Sequence, residues 1–163
     1  MKKTTRLAVC LCLLLCPSLK ARAEKTTNFV FFLVDDLGWS DVGCFGSQFY
    51  DTPNIDQLAT AGVRFTDAYA ACHVCSPTRA SILTGKYPAT LNLTDWLPGR
   101  RNFPFQRYLN AEINQHLPYK ETTIAEALKT RGYATGIFGK WHLGSLRADS
   151  PVCPGNSGFD EWV

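Results

Sequence analysis

Apolar and polar positions along the chain follow two spacings, one typical of strands and one typical of helices. Residues 28–34 are a continuous apolar, β-rich run, which predicts a strand buried on both faces of a parallel sheet. Residues 63–69 alternate between apolar and polar side chains and predict a second strand. A third strand is predicted over residues 133–138.

Three helices are predicted between the first and the last of these strands. Thr52 and Pro53 start the first, because Thr is favoured as an N-cap and Pro at the first helical position. Its apolar stripe consists of Ile55, Leu58 and Ala59, and Gly62 ends it. The second begins near Cys75, where Pro77 suits the first helical turn, and ends near Gly85.

A capping box opens a further helix at Thr123-Ile-Ala-Glu126, with Ala127 and Leu128 on its inner face and Gly132 beyond its end. The order strand, helix, strand, helix, strand predicts an α/β fold with a mostly parallel sheet flanked by helices. In such sheets ligands bind at the carboxyl ends of the strands.

Residues 88–119 contain four prolines and several aromatic residues, and they predict a long irregular loop. A loop of this length inside a compact domain is usually functional or mobile. Because variable loops carry specificity, we expect it to line the mouth of a substrate pocket.

Residues 1–23 have the features of a secretory signal peptide. Basic residues near the start precede a ten-residue apolar run, Leu7–Cys16, and Ala21-Arg22-Ala23 is a small-x-small cleavage site. The apolar run is too short to span a bilayer, which disfavours an uncleaved anchor. We therefore expect a secreted or periplasmic protein, lysosomal in a eukaryote, with no stable membrane insertion after cleavage.

The formal charge of +3 comes from this N-terminal segment, which holds five of the 17 basic residues and no acidic residue. Residues 24–163 are slightly acidic, so charge gives no argument for a nucleic-acid partner.

Four cysteines follow the predicted cleavage site: Cys44, Cys72, Cys75 and Cys153. An exported protein permits disulfides, but their pairing cannot be deduced from spacing. Cys72 and Cys75 form a C-x-x-C pair, which also occurs in redox motifs and zinc sites. No second ligand pair with matching spacing is present, and neither alternative explains the residues that surround Cys75.

The segment from Cys75 to Gly85 is suited to an anion. Cys75 is placed at or near a helix N-terminus, where unpaired N–H groups favour negative charge. Arg79 lies about one turn further on and can reach back toward the same anion.

Two other loops are predicted at the same edge of the sheet. Asp35 and Asp36 follow the first strand, and paired carboxylates suit Ca²⁺ or Mg²⁺, although alone they more often form a solvated turn. Lys140 and His142 follow the last strand and offer a positive charge and a proton carrier. The alternative for this second loop is a basic turn that packs Trp141 into the core.

The segment Cys75-Ser76-Pro77-Thr78-Arg79, with Leu83-Thr84-Gly85 after it, resembles the signature of the type I, Cys-type sulfatases, including arylsulfatases and N-acetylgalactosamine-6-sulfatases. Gly139-Lys140-Trp141-His142-Leu143-Gly144 is similar to a second segment of that family. The resemblance extends from about Asn28 to the end of the chain, and it implies an alkaline-phosphatase-like α/β fold.

By this resemblance, a formylglycine-generating enzyme oxidises Cys75 to formylglycine, whose hydrate attacks the sulfur of a sulfate ester and expels the alcohol. Loss of a proton from the second hydroxyl then eliminates sulfate and restores the aldehyde. Asp35, Asp36 and the modified Cys75 are implied ligands of Ca²⁺, less often Mg²⁺. Arg79 and Lys140 would stabilise the sulfoxy charge, and His142 would assist proton transfer.

Sulfatases are far longer than 163 residues, and their remaining metal ligands, a further His and a further Lys lie downstream. We therefore interpret residues 24–163 as the N-terminal part of a catalytic domain, incomplete at its C-terminus, and expect little activity from this chain alone. Two alternatives are a phosphate or phosphonate ester hydrolase of the same superfamily and a non-catalytic chain that binds sulfated glycans. The second would use Arg100, Arg101 and Arg107, which otherwise form a solvated loop surface.

Overall fold

The computed structural model describes residues 27–163. The predicted signal peptide, residues 1–23, lies outside this range and stays a prediction. The chain divides into two compact units, one ending at Val34 and the other comprising Asp35–Val163. Within the described part of the chain, no helix is both long and apolar enough to cross a membrane.

The second unit contains the helices and strands. Helix α1 is Pro53–Ala61, α2 is Cys75–Thr84 and α3 is Ile124–Lys129. Short 3-10 turns occupy Gly43–Phe45 and Pro154–Ser157. Strand β1, Gly136–Ile137, pairs in parallel with strand β2, Glu161–Trp162. The parallel pair with neighbouring helices agrees with the predicted α/β class.

Two predicted strands are absent from the structure. No strand is assigned to residues 28–34, whose apolar side chains from Phe29 to Val34 are exposed rather than buried. Residues 63–69 are also irregular, and all of them are exposed. A strand needs a neighbour for its ladder of hydrogen bonds, and the one ladder within residues 27–163 joins β1 to β2. The apolar pattern therefore predicted strands at 28–34 and 63–69 that the structure does not contain.

The helix boundaries were predicted better, because they depend on local chemistry. Helix α2 begins at Cys75 after extended Val74, and Gly85 ends it with φ of 68°, a backbone conformation that glycine adopts readily. Thr123 and Glu126 form the predicted capping box.

The predicted inner faces of α1 and α3 need correction. Ile55 and Leu58 of α1 are exposed, so this stripe is not buried within the described residues. In α3 the buried residue is Ala125, whereas Ala127 is exposed. Spacing identified apolar positions here, but not which face has a packing partner.

The core is built largely by the loops. Its buried cluster consists of Ala80, Leu91, Leu93, Leu117, Ala125, Trp141, Leu143 and Phe159. Leu91, Leu93 and Leu117 belong to the irregular segment 88–119, which is therefore anchored from within. The indole of Trp141 packs edge-on against Phe159 and donates a hydrogen bond to the Val152 carbonyl. This packing fixes the backbone on both sides of Trp141.

Candidate active site

Cys75 is held at the first residue of α2 by the burial of the turn that follows it. Ser76 and Ala80 are 0% exposed, and Pro77 is also buried. Cys75 itself is only partly buried and remains accessible. The helix N-terminus therefore presents one reactive side chain from a fixed backbone.

Three charged residues from distant parts of the sequence meet beside this helix. The Arg79 guanidinium lies 3.1 Å from Oδ2 of Asp35, and the Lys140 ammonium lies 2.5 Å from the same oxygen. The Arg79 guanidinium also donates to the Lys140 carbonyl. The structure thus joins the three loops that were expected at one edge of the sheet.

The electrostatics of this cluster favour its charged forms. The hydrogen bond from Lys140 and, after it, the one from Arg79 hold the pKa of the Asp35 carboxyl below its ordinary value. The hydrogen bond to Asp35 and a second one to Cys75 raise the pKa of the Lys140 ammonium. Lys140 therefore stays charged beside the Asp35 carboxylate.

Two of the predicted site residues adopt left-handed backbone conformations. Asp36 has φ of 60° and His142 has φ of 54°. Such conformations are uncommon outside glycine, although Asp and His tolerate them better than most residues. Left-handed conformations of residues other than glycine are concentrated at functional sites, where the surrounding structure holds the backbone in place.

His142 is oriented by the Leu97 peptide. Its Nε2 donates to the Leu97 carbonyl at 2.8 Å, because a carbonyl can only accept. The other ring nitrogen, Nδ1, is buried and has no hydrogen-bond partner among the described residues. In the neutral ring Nδ1 is therefore an acceptor without a donor among the described residues.

The same Leu97 peptide is fixed from the other side by Ser76, since the Leu97 N–H donates to the buried Ser76 hydroxyl at 3.1 Å. Ser76 directly follows Cys75, so the Leu97 peptide joins the start of α2 to His142. Sequence reasoning missed Ser76 and Leu97. Separations of 21 and 45 residues left no local pattern that could have revealed the contact.

Asp35 and Asp36 offer carboxylate oxygens of the kind that Ca²⁺ prefers, but two carboxylates are too few to fill its coordination sphere. Both ion pairs of Asp35 use Oδ2, and no hydrogen bond to Oδ1 occurs within residues 27–163. Within the same range, no three His, Cys, Asp or Glu side chains are grouped as metal ligands, and Ca²⁺ takes about 6–8 oxygens. The assignment of Asp35, Asp36 and Cys75 to a metal stays a prediction.

The four cysteines of the described residues are free thiols. Cys72 is partly buried, with its sulfur 3.8 Å from Nδ1 of His73. The C-x-x-C pair is thus not a disulfide in this structure.

Comparison with known proteins gives consistent matches. A protein-family model described as Sulfatase matches residues 27–163. Arylsulfatase G from dog is 42% identical over 145 residues, which cover 89% of this chain and 24% of the relative. N-acetylgalactosamine-6-sulfatase from rat is 39% identical over 144 residues, which cover 88% of this chain and 26% of the relative.

A solved structure described as "Crystal structure of Ps i-CgsB in complex with k-i-k-neocarrahexaose" superimposes with a TM-score of 0.65 and 38% identity. The match covers 78% of this chain and 25% of that one. The chain therefore spans about a quarter of the length of the proteins it matches.

Proposed function

Since this chain belongs to the sulfatase family, we propose that it carries the nucleophile half of an active site that hydrolyses sulfate esters of aryl or carbohydrate alcohols. The observation that carries the proposal is the meeting of Arg79, Lys140 and Asp35 beside the helix that begins at Cys75. An anionic ester placed there meets two cations and a helix N-terminus, an arrangement that stabilises oxyanions.

Cys75 supplies the nucleophile after oxidation to formylglycine, whose hydrate provides the attacking oxygen. The accessible position of Cys75 at the start of α2 suits this role, because the buried residues behind it limit its movement. A formylglycine-generating enzyme is the implied partner, and export through the segment 1–23 is the implied route.

Lys140 and Arg79 have different tasks. The flexible Lys140 ammonium is paired with Asp35, and in the proposed mechanism it contacts the modified Cys75 and a sulfate oxygen. The Arg79 guanidinium is largely buried, so it acts as a fixed positive charge behind the helix terminus. His142 offers Nδ1 as the acceptor for a hydroxyl proton.

Asp35 and Asp36, with the modified Cys75, would hold Ca²⁺, with Mg²⁺ as the alternative. Hard carboxylate oxygens suit either ion, and the metal would act as a Lewis acid toward the sulfate group. The remaining ligands would come from outside the described residues.

The proposal is tested in the whole protein that contains this sequence, coexpressed with a formylglycine-generating enzyme. We expect mass spectrometry to show conversion of Cys75, and we expect hydrolysis of 4-nitrophenyl sulfate that Cys75→Ala abolishes. A converted protein that cleaves phenyl phosphonates faster than the sulfate would contradict the assignment to sulfate esters. An unmodified thiol in a competent host would contradict the mechanism.

A further inference from the structure

Cys72 and Cys75 are two free, partly buried thiols at the start of α2, and the proposed chemistry uses only Cys75. We propose that these two residues form a reversible disulfide, and that this bond withholds Cys75 from conversion to formylglycine. The pair makes activation of the protein depend on the redox state of its compartment. This inference rests on the proposed function and names a regulation of the same site.

The chain between the two cysteines is curved rather than extended. The Thr78 hydroxyl, in the first turn of α2, lies 2.8 Å from the Cys72 carbonyl oxygen and 2.8 Å from the Val74 carbonyl oxygen. Because both oxygens share one partner, residues 72–74 bend over the end of the helix. An extended chain of three residues covers about 10 Å, whereas a disulfide joins Cα atoms about 4–7 Å apart. The bend therefore shortens the separation of Cys72 and Cys75 toward the disulfide range.

The other two free thiols are poorer partners for either residue. Cys153 is 2% exposed, and its sulfur lies 3.9 Å from the Ala148 carbonyl oxygen, so an oxidant does not reach it. Cys44 is far from Cys72 in sequence, and the entropic cost of closing a loop rises with its length. Of the four cysteines in the described part of the chain, Cys72 and Cys75 close the shortest loop.

The Cys72 thiol has a base beside it. Its sulfur lies 3.8 Å from Nδ1 of His73, whose side chain is exposed. In the tautomer without a proton on Nδ1, this nitrogen accepts the thiol proton. Because the thiolate is the reactive form of cysteine, we expect Cys72 to react with an oxidant before Cys75 does.

A disulfide-bonded oxidant of the exporting compartment, for example glutathione disulfide, completes the reaction. The Cys72 sulfur gives its proton to His73, attacks one sulfur of the oxidant and releases the first glutathione, which takes the proton back from His73. The Cys75 sulfur then loses its proton to solvent, attacks the Cys72 sulfur and releases the second glutathione, which solvent protonates. The two cysteines together lose two electrons and two protons, and one glutathione disulfide yields two thiols.

The disulfide blocks activation because formation of formylglycine replaces the Cys75 sulfur by oxygen. A sulfur that is bonded to Cys72 is withdrawn from that reaction until a reductant frees the thiol.

The first test measures the bond itself in the whole protein that contains this sequence, produced without a formylglycine-generating enzyme. The protein is equilibrated in glutathione buffers from reducing to oxidising, alkylated and digested with trypsin, which cuts after Arg64 and Arg79. Peptide 65–79 contains no cysteine other than Cys72 and Cys75. We expect its oxidised form to lack two hydrogens and to carry no alkyl group, and we expect a reductant to restore both thiols.

The second test measures conversion of Cys75 by mass spectrometry in cells that coexpress the formylglycine-generating enzyme, with and without an added thiol oxidant. The variants are Cys72→Ser and, as the control at another partly buried free thiol, Cys44→Ser. Without oxidant, all three proteins should be converted alike. With oxidant, conversion of wild type and Cys44→Ser should fall about threefold or more below that of Cys72→Ser, because only the free thiol is competent. Comparison between variants cancels any direct effect of the oxidant on the converting enzyme.

The outcomes separate this inference from the proposed function. Absence of the Cys72–Cys75 disulfide at every glutathione ratio, in a protein that is converted and hydrolyses 4-nitrophenyl sulfate, leaves the proposed function standing and refutes the thiol pair. Equal conversion of wild type and Cys72→Ser in the presence of oxidant also refutes it. A reversible disulfide in a protein that is never converted, even as Cys72→Ser, supports the thiol pair and contradicts the proposed function.

Discussion

Ser76 occupies the variable position of the Cys-x-Pro-Thr-Arg motif, yet its side chain is completely buried and holds the Leu97 N–H. The Leu97 carbonyl in turn accepts from His142, so the hydroxyl acts on the histidine through one peptide. A fully buried residue can thereby determine which imidazole nitrogen is left without a partner among the described residues. We regard Ser76 as a positioning residue.

We expect Ser76→Ala to lower kcat by about fivefold with little change in KM, because one buried hydrogen bond worth roughly 1 kcal/mol is lost. The neutral His142 ring should also lose its single tautomer, which ¹⁵N NMR of labelled histidine reports directly. Ser76→Thr, which keeps the acceptor, should recover the wild-type spectrum.

Ser81 provides a matched control on the same helix, since its buried hydroxyl has no hydrogen-bond partner among the described residues. Ser81→Ala should leave both kcat and the His142 spectrum unchanged. If the two alanine variants behave alike, Ser76 has only a packing role.

The pairing of Asp35 with Lys140 and Arg79 makes stability depend on pH at the acidic end. The folded-state pKa of Asp35 is lowered, so the pair stabilises the protein fully above the ordinary aspartate value of 3.8. This contribution is lost as the pH falls through the lowered pKa. We expect Asp35→Asn, measured with a chelator present, to reduce the free energy of unfolding at pH 7 and to reduce it less at pH 3.

Urea titrations at the two pH values measure this difference. Asp51→Asn is the control, because Asp51 is exposed and has no ion pair in the part of the chain that the structure describes. An Asp35→Asn deficit of the same size at both pH values would show that the carboxylate charge is not the cause.

The contribution of the α3 capping box to the free energy of unfolding can be isolated with a single substitution. The Thr123 hydroxyl accepts from Glu126 and donates to the Ser157 carbonyl. Helix α3 is short, so its stability depends on these end contacts and on burial of Ala125.

We expect Thr123→Ala to cost about 1–2 kcal/mol in the free energy of unfolding, since an N-cap and a second buried hydrogen bond are both lost. Hydrogen exchange of the α3 amides should accelerate together with the shift in the urea midpoint. Thr122→Ala, at the exposed neighbouring position, should stay within about 0.5 kcal/mol of wild type. Equal losses for both variants would contradict the capping assignment.

Helix ends could be predicted from sequence because the residues that make them are adjacent. Pro77 lies in the first turn of α2 and Gly85 ends the helix, and the capping box of Thr123 and Glu126 starts α3. The strands at 28–34 and 63–69 were wrong, since a strand depends on a neighbour that no local pattern specifies. The candidate site lies between these cases: the motifs predicted Asp35, Asp36, Cys75, Arg79, Lys140 and His142, and the structure brings Asp35, Arg79 and Lys140 into contact. The contacts of the Leu97 backbone with Ser76 and His142 could be found only in the structure.

At the scale of the molecule, residues 35–163 expose many large apolar side chains. Val63, Phe65 and Tyr69 are 80%, 73% and 88% exposed, and they lie close together in sequence. Contiguous apolar surface of this kind usually marks a contact with another part of a protein.

We expect the 163-residue polypeptide alone to bind the dye ANS and to self-associate at micromolar concentration. Replacing Val63 and Phe65 by serine should reduce the dye fluorescence without changing helix content, because neither residue belongs to a helix. A monodisperse polypeptide with no dye binding would refute this expectation, and unchanged fluorescence in the double variant would locate the apolar surface elsewhere.

The Leu97 peptide has a consequence for efforts to redirect specificity by loop exchange. Residues 99–113 supply most of the residues that line an open pocket in segment 88–119, whereas the Leu97 backbone contacts Ser76 and His142. A graft with its junctions after Pro98 and before Asn114 would change that lining and leave the Leu97 backbone contacts in place. A graft that begins a few residues earlier would also replace the backbone that holds the His142 imidazole.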